Sequence, residues 1–392
     1  MHSVVFTPFE LPCGLTLKNR LAKAAMEENL ANAHSSPDKP IFTLYKQWAN
    51  GGAGLIITGN VMIDGLAMTG PGGIVLDGDC ELAPFRQWAK EASVNDSRII
   101  MQINHPGRQV YAAMEGKALA PSAIPLDLGK HSKLFAHPTE MTRADIDDVI
   151  ERFVITATRA EKAGFHGVEV HAAHGYLLAQ FLSPLTNKRN DEWGGTLENR
   201  ARLLLTIVKK IRAFVNKRFA VAVKLNSADF QRGGFEPDDA LQVVKWLEPL
   251  SVDFIELSGG SYESPAMQGR TADERTLARE AWFLEFAQQI AQHTNLDIMT
   301  TGGINRLPTA EHVVNAGVPL VGMATALALT PNLPNQWREN PNAKATPPTP
   351  NWRNKTLNAL AIMSIIKRQL RRLSQGKPTR KYLSPLISLV IG

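Results

Sequence analysis

The strongest constraint on the fold of this 392-residue chain is a repeated alternation of short β-branched runs with longer amphipathic segments. Runs typical of strands lie at 19–26, 54–60, 98–104, 167–171, 219–225, 253–258, 297–301 and 318–323. The amphipathic segments between them predict helices at 41–50, 82–94, 143–163, 196–215, 237–250, 277–293 and 306–316. Eight strands alternating with helices over about 300 residues indicate an α/β fold, the (β/α)8 or TIM barrel.

A doubly wound open sheet is the other α/β fold that this alternation allows. Such sheets bind nucleotides at a glycine-rich turn that follows the first strand. Here the first predicted strand continues into Glu27, Glu28, Asn29 and Leu30, which do not form this motif. We therefore predict the barrel, and we expect catalytic side chains at the C-terminal ends of its strands.

The composition changes near residue 341, where a proline-rich stretch begins. Beyond it, Ile362, Ile366, Leu370 and Leu373 recur at helical spacing among basic residues. We predict a barrel over 1–340, followed by a proline-rich linker and a basic amphipathic C-terminal helix over 341–392. Two interpretations of this helix stay open: it docks on its own barrel or on a neighbouring subunit, or it contacts anionic lipid or an acidic partner.

The distribution of charge argues against a nucleic-acid partner. The whole chain has a formal net charge of +6. Because 341–392 holds ten basic residues and no acid, the rest of the chain has a net charge of −4, which does not suit a polyanion. No run approaches the ~18 apolar residues of a membrane span, and the sequence shows no secretory signal, so we expect no transmembrane segment.

Cysteine usage indicates the compartment and limits the redox chemistry. Cys13 and Cys80 are the two cysteines of the chain. Two thiols cannot form a disulfide framework or ligate an iron–sulfur cluster, so we expect a reducing, cytoplasmic location. Any redox cofactor should then be organic.

The densest group of polar residues is Val168-Glu-Val-His-Ala-Ala-His-Gly-Tyr176, at the end of the fourth predicted strand. His171 and His174 can offer imidazole N–H donors to an oxyanion or enolate, and Tyr176 can deliver a proton. We predict that these three residues are catalytic. The alternative is a metal-dependent barrel hydrolase or lyase with His171 and His174 as ligands, although the sequence shows no obvious third ligand.

Other strand ends carry residues suited to a bound cofactor. Gln102 has the donor and acceptors needed to bind the edge of a flat heterocycle. Lys224 ends an apolar strand, where it should face an anion or pair with Asp229. The Gly302-Gly303 pair after the seventh strand, with Gly322 in the eighth, allows backbone N–H groups to surround a phosphate.

Several motifs resemble those of one family. Leu17-Lys-Asn-Arg20 enters the first strand, Gln102-x-x-His-x-Gly-Arg108 ends the third, and His171-Ala-Ala-His-Gly-Tyr-Leu ends the fourth. A longer string follows, comprising Asn187-x-Arg189-x-Asp191-x-Trp-Gly-Gly-x-x-Glu-Asn-Arg200. Over about residues 6–334 the chain therefore resembles the old yellow enzyme family, the FMN-dependent NAD(P)H oxidoreductases also called ene-reductases.

The resemblance implies a barrel that holds FMN, uses NAD(P)H as co-substrate and has no metal. Gln102 would bind the pyrimidine edge of the flavin, and Lys224 would stand beside flavin N1, where the family usually has arginine. His171 and His174 would hold the substrate carbonyl, and Tyr176 would donate the proton. The flavin-binding residues implied in this way are Ala24, Ala25, Met26, Glu27, Gly59, Asn60, Gln102, Lys224, Gly302, Gly303, Gly322 and Met323.

The implied reaction is the reduction of activated C=C bonds in α,β-unsaturated carbonyl compounds. Electron-poor alkenes are the expected small-molecule substrates, with quinones and nitro compounds as further acceptors. The sequence leaves open the physiological substrate, the choice between NADH and NADPH, and homo-oligomerisation.

Two positions depart from the family pattern. Glu27 occupies the place where relatives carry cysteine, threonine or serine against the flavin. The segment 322–326 lacks the arginine that relatives place on the FMN phosphate. These departures keep a flavin-binding protein with weak turnover as an alternative function.

Overall fold

The computed structural model describes residues 3–265, 281, 283–350, 352 and 355–391. Eight parallel strands form a closed barrel, in which each strand pairs with the next along the chain and the eighth pairs with the first. The strands are β1 (Leu21–Lys23), β2 (Leu55–Ile57), β3 (Arg98–Asn104), β4 (Gly167–Ala172), β5 (Ala220–Asn226), β6 (Phe254–Ser258), β7 (Asp297–Thr300) and β8 (Leu320–Met323). The predicted TIM barrel is confirmed.

Helices surround the barrel and extend its C-terminal side. In chain order, the helices of the described residues are α1 (Lys39–Asn50), α2 (Ala83–Ala92), α3 (Arg143–Lys162), α4 (Leu177–Leu182), α5 (Leu197–Phe214), α6 (Pro237–Leu247), α7 (Leu284–Ala291), α8 (Leu307–Asn315), α9 (Thr325–Leu329), α10 (Leu333–Glu339), α11 (Lys355–Ser374) and α12 (Pro385–Ile391). The segments predicted as helical correspond to α1, α2, α3, α5, α6, α7 and α8. Of the segment predicted at 277–293, residues 277–280 and 282 lie outside the described residues.

Local sequence signals explain where individual helices begin and end. Thr142 caps α3, because its hydroxyl oxygen accepts a hydrogen bond from Asp145 N at 3.2 Å. Helix α6 ends at Leu247 rather than at residue 250, because Pro249 lies in the 3-10 turn Glu248–Leu250 and has no N–H to donate.

The interior of the barrel is apolar at its N-terminal end. Side chains alternate between the inside and the outside along each strand, and Ala222, Phe254 and Met299 pack together in the lower interior. The antiparallel pair Phe9–Glu10 and Thr16–Leu17 contributes side chains to this apolar cluster and closes the bottom of the barrel. Nearer the mouth, the inward-facing residues are polar or charged, so the chemistry of the barrel is concentrated at its C-terminal end.

The tail docks on the barrel through α11, which packs against α1 and α9. Leu370 and Leu373 of the predicted apolar stripe are buried. Ile362 and Ile366 are only half-buried, and Ile365 is buried instead. This packing agrees with the interpretation in which the tail docks on its own barrel. The buried face of α11 is rotated relative to the predicted apolar stripe, because Ile365 is more buried than Ile362 and Ile366. In the part of the chain that the structure describes, no helix is long and apolar enough to cross a membrane.

Candidate active site

The three residues predicted to be catalytic lie together at the C-terminal end of β4. The ring centroids of His171 and His174 are 5.1 Å apart, and those of His171 and Tyr176 are 4.9 Å apart. The chain turns sharply here, with φ angles of 60° at His174 and 73° at Gly175. A Cβ atom at Gly175 would lie 2.9 Å from Ser261 Cβ, so this turn requires glycine.

Hydrogen bonds determine which ring nitrogens of the histidines can bind a ligand. His171 Nδ1 accepts a hydrogen bond from Ala173 N at 3.2 Å, so the ring proton lies on Nε2. His174 Nε2 lies 2.7 Å from Ser258 Oγ, and His174 N donates to Asn226 Oδ1 at 3.1 Å. With the Ser258 hydroxyl as donor, His174 carries its ring proton on Nδ1. His171 Nε2 is therefore a donor left for a ligand, and in this tautomer His174 Nδ1 is a second one.

Burial keeps both imidazoles neutral. Desolvation is the main cause that lowers the pKa of His171 and His174 well below the usual value, and the positive charge of Lys224 lowers both further. Neutral N–H donors in a buried site can stabilise an oxygen atom that gains negative charge. This is the chemistry for which the sequence analysis selected the two histidines.

Tyr176 has its hydroxyl group between two polar partners. The hydroxyl oxygen lies 3.3 Å from Asn60 Nδ2 and 3.3 Å from Tyr262 Oη. Burial raises the pKa of Tyr176 well above its usual value, and the negative charge of Glu27 raises it further. The phenol is therefore protonated in the resting protein, which is the state that a general acid needs.

Aromatic residues from two long inserts extend this cluster into a wall. The Tyr262 ring centroid is 6.1 Å from that of Tyr176, Phe135 lies 6.0 Å from Tyr262, and Tyr111 stacks on Phe135 at 4.9 Å. We refer to Tyr111, Phe135 and Tyr262 as the aromatic wall. The sequence analysis missed these residues, because loops have no periodicity that predicts the direction of a side chain. The available signal was the presence of aromatic residues in the inserts 105–141 and 261–276.

A buried ion pair joins the two inserts. Arg108 Nη2 lies 2.5 Å from Glu263 Oε2, and the two side chains are 4% and 14% exposed. Arg108 Nη1 also donates to Pro125 O at 3.0 Å, and Glu263 Oε1 accepts a hydrogen bond from Asp127 N at 2.8 Å. The pair therefore fixes the loop that carries Tyr262 against the first insert.

Glu27 belongs to the same pocket. Its Oε1 accepts a hydrogen bond from Thr69 Oγ1. Burial is the main cause that raises the pKa of Tyr111, Tyr176 and Tyr262, and the charge of Glu27 is a further cause for each of them. The carboxylate group of Glu27 therefore lies close enough to these three tyrosines to influence their hydroxyl groups.

The residues predicted to bind flavin at the ends of β1, β2 and β8 form a continuous rim. Ala24 N donates to Met323 O at 3.0 Å. A Cβ atom at Gly59 would lie 2.2 Å from Met26 O, so glycine allows β2 to approach the loop after β1. Ala25 and Glu27 belong to the same segment after β1, and Asn60 follows Gly59 after β2.

Gln102 and Lys224 belong to a buried charged layer, which we define as Gln102, Glu169, Lys224 and Glu256. Gln102 Nε2 donates to Glu169 Oε2 at 2.6 Å, and Lys224 Nζ donates to Glu256 Oε1 at 2.8 Å. Lys224 and Glu256 are direct neighbours in the β5–β6 register and both point into the barrel. The predicted pairing of Lys224 with Asp229 is therefore wrong. Asp229 lies beyond the end of β5 and makes other hydrogen bonds.

One of the two carboxyl groups of the charged layer is protonated. Glu169 Oε1 and Glu256 Oε2 are both buried without a hydrogen-bond partner among the described residues. Because Glu256 is the ion-pair partner of Lys224, the proton lies on Glu169. Burial and then the charge of Glu256 raise the pKa of Glu169 well above its usual value. The layer consequently has no net charge, and the positive charge of Lys224 is neutralised within it.

A cavity of about 450 Å³ opens at the ends of β7 and β8, and we call it the β7–β8 cavity. Gly302 and Gly303 line it with φ angles of 100° and 75°, and Gly322 and Met323 line its β8 side. A Cβ atom at Gly322 would lie 3.2 Å from Thr300 O, so glycine allows β8 to approach the end of β7 closely. The described lining contains no charged side chain. Glycine backbone in this position fits the phosphate of FMN.

The geometry does not support a metal centre at the histidines. Among the residues for which the structure gives positions, no group of three His, Cys, Asp or Glu side chains is placed to hold a metal ion. His174 has the hydroxyl of Ser258 as its ring neighbour, and Lys224 places a positive charge near both histidines. These surroundings disfavour a cation.

The long string at 187–200 builds the scaffold around β4. Arg189 Nη1 donates to Met141 O at 2.7 Å, and Arg200 Nε donates to Leu182 O at 2.7 Å. These bonds anchor the chain after α4 to the end of the first insert and to α4 itself. The motif that is most specific to the family therefore positions the site without contributing a side chain to the catalytic cluster.

Comparisons with known proteins agree with this geometry. Residues 4–343 match the model of the NADH:flavin oxidoreductase / NADH oxidase family. An NADH-dependent flavin oxidoreductase of Neonectria sp. (strain DH2) is 38% identical over 352 residues, which cover 83% of this chain and 46% of that protein. A second NADH-dependent flavin oxidoreductase, of Hypocrea jecorina (strain QM6a), is 36% identical, and the match covers 83% of this chain and 87% of that protein. The old yellow enzyme homologue of Zymomonas mobilis has the same fold, with a TM-score of 0.74 at 24% identity over 87% of this chain and 94% of its own.

The fold and the site define a TIM barrel with a cluster of neutral hydrogen-bond donors at the C-terminal end of its strands. The chain belongs to the NADH:flavin oxidoreductase / NADH oxidase family, the old yellow enzyme family. The predicted family, with FMN as cofactor and NAD(P)H as co-substrate, is confirmed. The chain spans less than half of the Neonectria relative but most of the Hypocrea relative.

Proposed function

We propose that this protein uses FMN and NAD(P)H to reduce C=C bonds activated by a carbonyl group, and that quinones and nitro compounds are further acceptors. One observation carries the proposal: two neutral imidazoles, of His171 and His174, lie beside the protonated phenol of Tyr176 at the end of β4. NADH is the proposed reductant, because the relatives from Neonectria and Hypocrea are named NADH-dependent. The proposed location is the cytoplasm.

The chain's own residues hold the substrate and supply a proton. FMN, when bound, supplies the transfer of hydride from the nicotinamide to the β-carbon of the acceptor. His171 Nε2–H and His174 Nδ1–H hold the carbonyl oxygen and stabilise the negative charge that develops on it. Tyr176 donates its phenolic proton to the α-carbon, while Asn60 and Tyr262 orient its hydroxyl group. One hydride and one proton saturate the double bond, and the carbonyl group is restored.

The proposed flavin site follows the rim, the charged layer and the β7–β8 cavity. Gln102 and Lys224 are the proposed contacts of the pyrimidine edge, since they are the layer's side chains at the ends of β3 and β5. The proposed contacts of the ring edge are Ala24, Ala25, Met26, Glu27, Gly59 and Asn60. The proposed phosphate contacts are Gly302, Gly303, Gly322 and Met323.

Anaerobic spectroscopy of the purified protein tests this function. We expect a flavin absorption spectrum that bleaches on addition of NADH and returns on addition of cyclohexenone, with cyclohexanone as the product. Cyclohexanone itself, which has the carbonyl group but no C=C bond, is the matched control and should not restore the spectrum. A yellow protein that neither NADH nor NADPH reduces would support the flavin-binding alternative, and a colourless protein would contradict the proposal.

A further inference from the structure

The C-terminal tail forms one wall of the β7–β8 cavity. Pro347 and Pro348 of the linker and Asn358 of α11 line the cavity together with the glycines of the barrel. Ile362 and Ile366, the half-buried members of the predicted stripe, line it as well. The barrel therefore contributes mainly bare backbone to this cavity, and the tail contributes side chains.

The tail is attached to the barrel on both sides of the cavity. On the linker side, Ala345 N donates to Asn305 O at 3.0 Å. On the helix side, Gln47 Nε2 donates to Leu373 O at 2.5 Å, and Ile365 is buried. The wall is consequently a built part of the fold, held by both hydrogen bonds and apolar packing.

Asn358 brings a free hydrogen-bond donor to this wall. Its Oδ1 accepts a hydrogen bond from Trp352 N at 3.0 Å, which fixes the plane of the side-chain amide. Its Nδ2 has no hydrogen-bond partner within the described ranges, and Asn358 lines the cavity. An amide donor that shares a cavity with positive-φ glycines, where the described lining has no charged side chain, is suited to bind an anion through neutral groups.

We propose that the C-terminal tail is part of the flavin site and that Asn358 Nδ2 donates a hydrogen bond to the phosphate of FMN. This inference rests on the phosphate position in the proposed function and adds a residue from outside the barrel to it. Asn358 then supplies a donor in a chain that lacks the arginine expected from the family resemblance. Retention of the cofactor becomes dependent on the docking of α11.

Asn358→Asp tests the proposal with a nearly isosteric side chain. The substitution keeps an Oδ1 acceptor for Trp352 N but replaces the donor with a carboxylate oxygen that repels phosphate. Apoprotein is titrated by flavin fluorescence with FMN and, in parallel, with riboflavin, which lacks the phosphate. The dissociation constant for FMN should rise roughly ten- to a hundredfold, while that for riboflavin should stay within about twofold.

Gln375→Glu is the matched control, because it adds the same negative charge to the tail at an exposed position beyond α11. Both flavins should bind this variant as they bind the wild type. If Asn358→Asp weakens FMN and riboflavin equally, Asn358 supports the fold only, and if it weakens neither, the phosphate is held elsewhere. Either result overturns this inference but not the proposed function. Wild-type apoprotein that binds neither flavin would overturn both.

Discussion

Burial sets the protonation states of the groups that surround the candidate site. Desolvation lowers the pKa of His171 and His174 and raises the pKa of Tyr176. All three residues are therefore neutral at physiological pH and can donate hydrogen bonds. Glu169 is the fourth neutral group, because burial and then the charge of Glu256 raise its pKa well above the usual value.

Glu169→Gln should increase stability relative to the wild type, and the gain should grow as the pH rises. The wild-type carboxyl group keeps its proton in the folded protein but ionises in the unfolded chain above its usual pKa of about 4.3. The wild-type free energy of unfolding therefore falls with increasing pH, by up to ~1.4 kcal/mol per unit, until the raised pKa of the folded state is reached. Urea unfolding of both proteins at about pH 5.5, 7 and 8.5 measures this difference.

Glu256→Gln is the matched comparison, because it makes the same chemical change on the neighbouring carboxyl group. It removes the counter-ion of Lys224 in the buried layer, and we expect a loss of about 3 kcal/mol in the free energy of unfolding. Identical effects of the two substitutions at every pH would show that the proton is not localised on Glu169.

At the scale of structural elements, the barrel positions the strand ends and the inserts shape the space above them. The β3–β4 and β5–β6 registers place Gln102 beside Glu169 and Lys224 beside Glu256. The aromatic wall, in contrast, depends on two loops that meet through the Arg108–Glu263 ion pair. We therefore expect changes in this ion pair to affect substrate affinity more than they affect the stability of the barrel.

Arg108→Met should raise KM for an enone by roughly tenfold and lower kcat less. The substitution leaves Glu263 without its buried partner and releases the loop that carries Tyr262, and small displacements of positioning residues are costly. Steady-state kinetics with cyclohexenone measure the effect. Arg152→Met is the control, because Arg152 pairs with Asp148 of α3 and with Asp64 at a partly exposed position, and exposed pairs contribute under ~1 kcal/mol. A KM that changes equally in both variants would contradict this role of the ion pair.

At the scale of the whole molecule, the tail completes the fold. Ending the chain after Asn340 should give protein that aggregates or melts at a lower temperature, because the barrel surface under Ile365, Leu370 and Leu373 becomes exposed. Burial of each such side chain contributes roughly 1.5–3 kcal/mol. Thermal unfolding by circular dichroism and light scattering measure the outcome.

Ending the chain after Ser384 is the control for this truncation. It removes α12 alone, whose Leu386 and Val390 are 68% and 84% exposed, and should cost much less stability. If the longer truncation leaves a soluble protein with an unchanged melting temperature, the tail is an independent binding segment, as the second interpretation of the sequence holds.

The sequence predicted the parts of this molecule that depend on local periodicity. The eight strands and the cluster of His171, His174 and Tyr176 follow from a repeat and from one dense motif. The partner of Lys224 could not be predicted, because Glu256 reaches it through strand pairing rather than through proximity in the chain. The aromatic wall and the contribution of Asn358 also depend on contacts between distant segments, and loop composition does not encode such contacts.

Stopped-flow measurement of both half-reactions of Tyr176→Phe tests whether Tyr176 is the proton donor to the substrate carbon, as proposed above. Reduction of the flavin by NADH needs no proton from the protein, so its rate should be nearly unchanged. Reoxidation by cyclohexenone should slow by about 10²–10⁴-fold, the usual contribution of a general acid, while reoxidation by a quinone should be largely spared. Equal losses in both half-reactions would mean that Tyr176 supports the flavin pocket, and full activity with cyclohexenone would mean that the proton has another source.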